Sequence, residues 1–437
     1  MPMPPEVPAV DAVGQAGGAG RKVLIIVENL PVPFDRRVWL EATTLRRAGY
    51  QVSVICPTGK GYEAAYEELD GVRIWRHPLP PEHGSALGYL REYACALWHE
   101  WRLAGRVRRS VGFDVIHACN PPDLIFLVAL WFKVLFGKRF VFDQHDLNPE
   151  LYESKFGKRG FFHRLLTIFE RLTFATADVV ISTNNSYRQV AIERGAKKPE
   201  NVFVVRSGPR LKQFTKVPPR DEHRRGRRFL VGYLGVMSEF DGVDHLVRAA
   251  AHVVKDSGRD DIGFCFIGDG PTRLSLIELA RELGIADRCE FTGRIPDADL
   301  IERLSTCDVC VNADPYNPLN DRSTMNKILE YMALERPIVQ YDLVEGRYSA
   351  GPASVYAERN DPRSMAREIV RLIDDPRRRE RMGKVGRWRM ESRLEWEHQV
   401  PKLLKAYERA FAGIERKRAD SDATQSLPIR SSEPTAS

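Results

Sequence analysis

The chain has 437 residues, of which 43% are hydrophobic, and its net charge at neutral pH is +7. This length predicts two large domains, and the composition excludes collagen-like, low-complexity and mostly disordered chains. The net charge is too small for a dedicated nucleic-acid binder. It is also unevenly distributed, because residues 1–225 carry +9 and residues 226–437 carry −2.

The ends of the chain and its most apolar window bear on localisation. Residues 1–20 lack the basic start and apolar run of a secretory signal, so we predict a disordered leader there and a disordered tail over the polar residues 416–437. The 13 residues of Leu124–Phe136 are too few to span a bilayer, and we expect a buried crossover helix. Seven cysteines do not suit a disulfide framework, which favours the cytoplasm.

Strands and helices alternate in the first half, beginning with the apolar run Lys22–Val27, which is typical of a buried parallel strand. A helix is predicted from about Arg37 to Ala48. Further strands are predicted at Gln51–Ile55, Asp114–His117, Arg139–Phe142, Val179–Ser182 and Val202–Val205. This alternation indicates a doubly wound sheet, and we assign residues 21–215 to one Rossmann-like domain.

A polar segment rich in Pro and Arg follows at residues 216–228. We predict a solvated linker, with phosphate or nucleic-acid binding by its arginines as the alternative. The alternation then restarts, and we assign residues 229–395 to a second Rossmann-like domain. Residues 396–415 are predicted to form a C-terminal helix that packs back on the first domain. Because ligands of such sheets bind at the carboxyl ends of the strands, the cleft between the domains is the expected site.

Three motifs argue against other chemistries. Gly268-Asp-Gly270 has Arg273 where a dinucleotide-binding loop needs a third glycine, and the loop after the first strand contains no glycine. Cys307-Asp-Val-Cys310 is a lone CxxC whose setting favours packing over redox or zinc chemistry. Asp297-Ala-Asp299 has the letters of a metal-binding motif, but its position favours helix capping.

Motifs along both halves of the chain resemble those of family 4 glycosyltransferases, which are retaining enzymes of the GT-B fold. In the second half they are Tyr233-Leu-Gly235, Phe266-Ile-Gly-Asp-Gly-Pro271, Phe291-Thr-Gly-Arg294, Cys307-Asp308-Val309 and Lys327-Ile-Leu-Glu330-Tyr-Met-Ala. In the first half, Arg37-Val-Trp-Leu-Glu41-Ala and His145-Asp-Leu are similar to that family's opening helix and central loop. The resemblance covers about residues 22–412. It implies an α/β protein with two Rossmann-like, doubly wound domains that face each other across a cleft.

The resemblance places a nucleotide-sugar donor in the second domain, around Lys327 and Glu330. A carboxylate can accept two hydrogen bonds from a ribose diol, which suits Glu330, and Lys327 would stabilise the leaving phosphate. A salt bridge between these two residues is the alternative. Ser323 or Asp321 is predicted to cap their helix, whose N-terminus would then face the pyrophosphate. The other predicted donor-binding residues are Gly235, Gly268, Arg294, Arg322, Ser323, Asn326 and Arg347.

Two departures from the family pattern bear on the donor sugar. The family usually carries a glutamate eight residues before Glu330, where this chain has Arg322. Either Asp314 or Asp321 substitutes for that glutamate, or Arg322 binds a phosphate or an acidic sugar. The family's usual basic residues after the first strand of the second domain are also absent, so phosphate neutralisation would rest on the other cations of this domain.

In the first domain, His145 and Asp146 follow a predicted buried strand and are therefore expected at the cleft rim. A histidine there could bind a sugar hydroxyl or shuttle a proton, and an ordinary polar loop is the alternative. Asn120, at the end of another strand, is a weaker candidate for acceptor binding. Arg36 and Arg37 follow the first strand and could bind an anionic acceptor, or could simply begin a solvated helix.

We therefore predict a retaining, metal-independent hexosyltransferase, with His145, Lys327 and Glu330 as catalytic residues and no cofactor besides the nucleotide-sugar co-substrate. Its acceptor would be a glycan or a lipid-linked glycan in polysaccharide or glycoconjugate synthesis. A nucleotide-sugar-binding scaffold protein and a nucleotide-sugar epimerase of the same fold are the alternatives, and no nucleic-acid partner is predicted. The basic, aromatic segments Tyr89–Arg109 and Lys155–Phe174 suit either packing on the sheet or peripheral attachment to an anionic membrane at the inner face of the cell.

Overall fold

The computed structural model describes residues 18–78 and 86–425, which form two lobes, each built on one β-sheet. Residues 1–17 of the predicted leader and residues 426–437 of the predicted tail lie outside this range. The strands of the first lobe are β1 (Lys22–Ile26), β2 (Gln51–Pro57), β3 (Tyr66–Leu69), β4 (Val72–His77), β5 (Val115–Cys119), β6 (Arg139–Gln144), β7 (Val179–Ser182) and β8 (Val202–Val204). They lie in the order β3-β4-β2-β1-β5-β6-β7-β8.

The sheet of the second lobe is parallel throughout its described strands. These strands are β9 (Phe229–Leu234), β10 (Ile262–Ile267), β11 (Cys289–Gly293), β12 (Val309–Asn312), β13 (Ile338–Tyr341) and β14 (Ser354–Ala357). They lie in the order β11-β10-β9-β12-β13-β14, with the first strand at the centre. In the first lobe the pairing is parallel as well, apart from the antiparallel pair of β3 and β4 at one edge.

Helices cover both faces of each sheet, because strands buried on two sides need an apolar partner on each. The helices of the first half are α1 (Arg36–Arg47), α2 (Ala86–Ser110), α3 (Phe126–Phe136), α4 (Asn148–Phe156), α5 (Phe161–Thr176) and α6 (Asn185–Glu193). Those of the second half are α7 (Val243–Lys255), α8 (Arg273–Glu282), α9 (Asp297–Thr306), α10 (Asn326–Ala333), α11 (Val344–Ala350), α12 (Pro362–Ile373), α13 (Pro376–Arg389) and α14 (Val400–Gln425). Two doubly wound α/β sheets are thus confirmed.

The two faces of the first sheet are covered by different helices. On one face, Leu24 and Ile26 of β1 share a core with apolar residues of α2, α3 and α5. On the other face, Val23 and Ile25 share a core with α1 and with α14, which returns from the end of the second lobe. The structure extends α14 to Gln425, so the predicted start of the tail at residue 416 is corrected.

The predicted solvated linker at 216–228 is instead tied to the second lobe. The backbone N–H of Val217 donates to Ser305 Oγ (3.2 Å), and that of Arg220 donates to Thr306 Oγ1 (3.0 Å). Arg224 Nη1 donates to Asp308 Oδ2 at 2.6 Å. The segment is therefore held along the end of α9, and the charge of Arg224 is already neutralised.

The apolar helix α3 is the clearest difference from prediction. Only one side of α3 packs on the sheet, and on its other side Leu127, Trp131, Val134 and Leu135 are 47 to 71% exposed. The prediction of a buried crossover helix is therefore wrong for half of its surface. Within the described residues, no helix is both long enough and apolar enough to cross a membrane.

Candidate functional site

The two lobes enclose a cleft that divides into two adjoining cavities. One, of about 590 Å³, is lined by Glu330, Asp297, Pro209 and Phe214 among others, and we call it the Glu330 chamber. The other, of about 740 Å³, is lined by residues that include His145, Asp146 and Asp314, and we call it the His145 chamber. The chambers share Arg36, Arg37, Ser207 and Asn326. One ligand could therefore extend through both.

Half of the predicted site residues line these chambers. They are Arg36, Arg37, Asn326 and Glu330 in the Glu330 chamber, and Arg36, Arg37, His145, Asp146, Ser323 and Asn326 in the His145 chamber. The others do not line either chamber: Asn120, Gly235, Gly268, Arg294, Arg322, Lys327 and Arg347. Several of these residues nevertheless hold lining residues in place.

Glu330 lies on α10, and its side chain is 15% exposed. Its Oε1 is 3.4 Å from Arg36 Nη1, and Arg36 Nη2 is 2.5 Å from Asp297 Oδ1. Burial raises the pKa of Glu330 to about 7, against the lowering effect of Arg36. The predicted alternative, a salt bridge of Glu330 with Lys327, is not formed. Asp297 begins α9 without a side-chain capping bond, so its charge serves the ion pair with Arg36.

Lys327, on the same helix, is buried behind the His145 chamber. Its Nζ lies 3.0 Å from Asp314 Oδ2 and 3.9 Å from Asp241 Oδ1, and it donates to Tyr233 OH at 3.4 Å. Burial disfavours the charged amine, but Asp314, Tyr233 and Asp241 together outweigh burial and raise the pKa of Lys327. Asp314 and Asp241 both line the chamber and lie next to the Lys327 ammonium group. A ligand in the chamber therefore meets the positive charge of Lys327 together with these two carboxylates.

The start of α10 is open to the cleft, but neither predicted residue caps it. The N-cap position is Met325, which makes no side-chain capping bond. Ser323 instead donates to the carbonyl of Leu319 (2.8 Å) and lies 3.0 Å from Tyr187 OH of the first lobe. The cap prediction is therefore wrong. The N–H group of Ile328 donates to the carbonyl of Met325 (3.1 Å), so the N–H groups of Asn326 and Lys327 are those at the start of this eight-residue helix that stay available to an anion in the cleft.

His145 is held by a buried ion pair. Its Nε2 lies 2.5 Å from Asp143 Oδ2, and Arg37 donates to both oxygens of Asp143 at 2.8 and 3.0 Å. Burial disfavours the charged imidazole, but the charge of Asp143 prevails and raises the pKa of His145. Burial acts against the charge of Asp143 as well, yet Arg37 and His145 hold the pKa of that carboxyl well below its usual range.

Arg37 has a structural role in this network, and its predicted role in acceptor binding stays a prediction. It is only 8% exposed, and it also donates to the carbonyl of Val205 (2.9 Å) and to Ser207 Oγ (2.9 Å). Arg36 is the exposed member of the pair, at 54% of its side chain. Of the two predicted arginines, Arg36 is thus the one that a ligand can reach.

Asn120 shapes the His145 loop from behind. Its Oδ1 accepts from the backbone N–H groups of His145 (2.8 Å) and Asp146 (3.2 Å), and its Nδ2 donates to the carbonyl of Asp146 (2.9 Å). It is 3% exposed and positions the loop, and its predicted contact with an acceptor stays a prediction. Asp146 does line the chamber, and burial raises the pKa of its carboxyl.

Three predicted arginines are engaged outside the chambers. Arg322 Nη1 donates to Glu150 Oε1 of the first lobe (2.9 Å), and Arg294 stacks over Phe34 of that lobe at 4.1 Å. Arg347 pairs with Asp342 (2.8 Å) over the ring of Tyr356. Arg322 and Arg294 thus join the lobes, whereas Arg347 is paired within the second lobe, and its predicted donor contact stays a prediction.

Gly235 and Gly268 are packing positions beside Lys327. A Cβ on Gly235 would lie 3.2 Å from Lys327 Cε, and Gly235 has a φ of +153°. A Cβ on Gly268 would overlap the carbonyl oxygen of Gly235. A side chain at either glycine would therefore disturb the packing beside the lysine, and their predicted contact with the donor stays a prediction.

Some residues of the cleft were not predicted. Arg206 pairs with Glu345 across the lobes at 3.1 Å, and both side chains are 3% exposed. Glu345 also accepts from Ser186 Oγ (2.8 Å). Asp143, which orients His145, is also among them. None of these side chains stands in a motif, and only their position in the folded chain brings them to the cleft.

One group of potential metal ligands lies behind the cleft. Donor atoms of His117, Cys119 and Asp143 all lie within 4.8 Å of one another, although the sequence spacing gave no sign of such a cluster. Both oxygens of Asp143 are already bonded to Arg37, whose positive charge opposes a cation there. His117 Nδ1 lies 2.6 Å from Tyr407 OH of α14. The cluster is better described as part of the buried network that supports His145.

Comparison with known proteins agrees with this geometry. Residues 35–208 match the family described as glycosyl transferase 4-like domain, and residues 228–375 match glycosyl transferases group 1. Together these matches cover most of the chain. Fold and cleft therefore define a GT-B glycosyltransferase. The chain belongs to the family 4 glycosyltransferases, and it transfers a sugar in glycoconjugate synthesis.

Individual relatives and solved structures are more distant. The chain is 26% identical to 2-deoxystreptamine glucosyltransferase of Streptomyces kanamyceticus over 70% of this chain and 80% of that protein. It is 25% identical to D-inositol 3-phosphate glycosyltransferase of Stackebrandtia nassauensis over 90 and 87% of the two chains. Its fold resembles that of sucrose-phosphate synthase of Thermosynechococcus elongatus, with a TM-score of 0.75 and 20% identity over 90% of this chain and 100% of that chain. It also resembles Anabaena HepE in complex with UDP-glucose (TM-score 0.67, 16% identity, 88 and 99% covered).

Proposed function

We propose that the cleft transfers a hexose from a nucleoside diphosphate sugar to a glycan or a lipid-linked glycan acceptor, with retention of the anomeric configuration. The observation that carries this proposal is the placement of Glu330. Its carboxylate opens into the cleft only four residues after the first residue of α10, whose free N–H groups face the same space. A ribose diol and a pyrophosphate need these two kinds of partner, side by side.

The donor would extend through both chambers. Glu330 would accept the ribose hydroxyls, which requires Arg36 to give up its contact of 3.4 Å with that carboxylate. The N–H groups after Met325 would bind the pyrophosphate, with the Lys327 ammonium behind Asp314 adding positive charge. The sugar would then lie in the His145 chamber. The bound UDP-glucose of the structurally similar HepE supports a donor of this class.

In the transfer step, the bond from the anomeric carbon to the pyrophosphate oxygen breaks while a bond to the acceptor oxygen forms on the same face of the sugar. The acceptor proton moves to the leaving phosphate oxygen, so no protein base is required. Because the Nε2 of His145 is bound to Asp143, its Nδ1 is the nitrogen that can form a hydrogen bond with a hydroxyl of the sugar or the acceptor. Protein cations take the role of a metal ion, and the enzyme needs neither a metal nor a cofactor.

We also propose that the enzyme works in the cytoplasm, at the inner face of the cell membrane when its acceptor is lipid-linked. All seven cysteines are free thiols, which suits a reducing compartment. The excess of positive charge in residues 1–225 suits an anionic surface.

The test is a transfer assay with purified protein, a panel of nucleotide-sugars and simple glycan acceptors, in buffer with and without EDTA. We expect one donor to be consumed, an α-linked product from an α-linked donor by NMR, and equal rates in both buffers. An inverted product would overturn retention, and a rate lost in EDTA would overturn metal independence. Donor conversion without any acceptor product would favour an epimerase.

A further inference from the structure

The outer layer of the first lobe exposes eleven large apolar side chains. It is formed by α2, α3 and α5, whose inner sides pack on one face of the sheet. Their exposed apolar side chains are Trp98 of α2, Leu127, Leu130, Trp131, Val134, Leu135 and Phe136 of α3, and Phe161, Phe162, Ile168 and Leu172 of α5. We call these residues the apolar face. Exposed patches of this kind mark interaction sites.

The three helices join into one continuous surface. The rings of Trp101 on α2 and Trp131 on α3 lie 5.8 Å apart, and Arg108 of α2 stacks on Phe136 of α3 at 3.9 Å. Lys133 of α3 donates to the carbonyl of Thr176 at the end of α5 (2.6 Å). The two basic, aromatic segments found in the sequence, which form most of α2 and α5, are thus joined through α3, which lies between them.

The charge around the apolar face has one sign. Among the side chains that the structure describes, which begin at residue 94 in α2, the acidic ones of α2, α3 and α5 are Glu100 and Glu170, and both are buried, at 0 and 2% exposure. The exposed charged residues of these helices are Arg102, Arg106, Arg109, Arg164 and Arg171. Arginines around projecting aromatic and aliphatic side chains complement a surface with anionic groups over an apolar interior.

We propose that this face docks on an anionic phospholipid bilayer, with the side chains of α3 entering the interfacial region and the arginines of α2 and α5 binding lipid phosphates. The arginines favour a bilayer over a second copy of this chain, because two such faces would bring their exposed arginines together.

Docking in this way would bring the bilayer to the cleft. Phe156, at the end of α4, packs against Tyr152 with 4.6 Å between ring centroids, and Tyr152 lies 6.5 Å from Phe162 of the apolar face. In the same helix, Ser154 donates to Asn317 of the second lobe (3.1 Å). A lipid-linked acceptor could therefore pass from the bilayer to the cleft rim over α4. This delivery of the acceptor rests on the proposed function, whereas the docking on a bilayer does not.

The test is co-sedimentation of the full-length protein with vesicles of phosphatidylcholine alone or mixed equally with phosphatidylglycerol. We expect binding to the mixed vesicles that falls as salt is raised. The double variant Trp131→Gln, Leu135→Gln should weaken this binding by at least about tenfold. Its matched control, Trp388→Gln with Leu274→Gln, replaces side chains of similar exposure in the second lobe and should bind normally.

The role of the arginines in lipid binding is tested with the double variant Arg164→Gln, Arg171→Gln on α5. Its matched control is the double variant Arg363→Gln, Arg367→Gln on α12 of the second lobe. The first pair should weaken binding and flatten its salt dependence, and the second should not. Circular dichroism confirms folding, and light scattering reports oligomeric state. The proposal is overturned if the folded wild-type protein does not bind mixed vesicles. It is also overturned if the wild-type protein is a dimer, and the substitutions of Trp131 and Leu135 make it monomeric without changing vesicle binding. Donor turnover in solution is measured in parallel. If the wild-type protein turns over no donor, this result counts against the proposed transferase function and leaves the docking proposal unaffected.

Discussion

Arg36 of the first lobe reaches across the cleft to Glu330 of the second, with 3.4 Å between Nη1 and Oε1. The same guanidinium binds Asp297 at 2.5 Å. Arg36 is half exposed whereas Glu330 is largely enclosed, so the arginine is the partner that can leave. This pair therefore holds the lobes together and occupies the carboxylate that a ribose would need.

Donor affinity should depend on pH through Glu330, whose pKa is raised by burial to about 7. The carboxylate accepts a diol well when ionised, so affinity for a nucleotide-sugar should fall as pH is lowered from about 8 to about 6. The pyrophosphate diester of a nucleotide-sugar does not titrate in this range, which makes it the proper ligand for calorimetry. Since Arg36 lowers the pKa of Glu330, Arg36→Gln should shift the midpoint to higher pH. A pH-independent affinity in the wild-type protein contradicts the assignment.

Removing Lys327 should affect stability and turnover separately. Lys327→Met leaves the buried Asp314 without its cation and should cost about 3 kcal/mol or more in the free energy of unfolding. It should also lower turnover by at least about tenfold, because the leaving phosphate loses its nearby charge. Adding Asp314→Asn should restore most of the stability, measured by urea unfolding, without restoring turnover. If the double variant regains both, Lys327 serves only to neutralise Asp314.

His145 should stabilise the protein in a pH-dependent way. Asp143 raises its pKa in the folded state, so its contribution is full below the unfolded pKa of about 6.5 and is lost as pH rises through the folded pKa. His145→Gln should therefore lower the free energy of unfolding more at about pH 5.5 than at about pH 9. The partly buried His163 of α5, which forms no ion pair with a carboxylate in the described residues, provides a control as His163→Gln. An equal loss at both pH values speaks against an imidazolium held by Asp143.

The return of the chain to the first lobe should be essential for stability. Trp396 is fully buried, and its Nε1 donates to Thr44 Oγ1 at 2.9 Å. Trp396→Ala should cost about 3–5 kcal/mol, measured by urea unfolding. Trp388, which is 45% exposed on α13, is the matched control, and its replacement by Ala should cost about 0.5 kcal/mol or less. A loss for Trp396→Ala as small as that of the control would show that the return of the chain contributes little to the core.

Local patterns predicted most of the fold, because buried parallel strands are continuous apolar runs that one sequence displays clearly. The pair of β3 and β4 was missed, since Tyr66-Glu-Glu-Leu at the sheet edge has charged residues and no such run. The composition of α3 suggested burial, but a sequence cannot tell whether an apolar helix is covered on both sides. The structure shows that α3 is covered on one side only.

The site was predictable where a residue acts through its own motif. Glu330 and His145 both line the cleft, as their motifs imply. The pairing of Arg37 with Asp143 could not be predicted because the two residues lie 106 positions apart along the chain. The pairing of Arg347 with Asp342 could not be predicted because it depends on how α11 turns after β13. Cations are easily found in a sequence, but only the folded chain shows which of them are already paired.

The central claim is that this cleft binds a nucleotide-sugar through Glu330, and calorimetric titration across a panel of nucleotide-sugars tests it most directly. Three proteins should be compared: wild type, Glu330→Gln, and the control Glu335→Gln, which alters a glutamate just after α10 that pairs with Lys216. We predict that at least one nucleotide-sugar binds the wild-type and control proteins equally and binds Glu330→Gln at least about tenfold more weakly. Equal binding to all three folded proteins, or binding to none, would contradict the account.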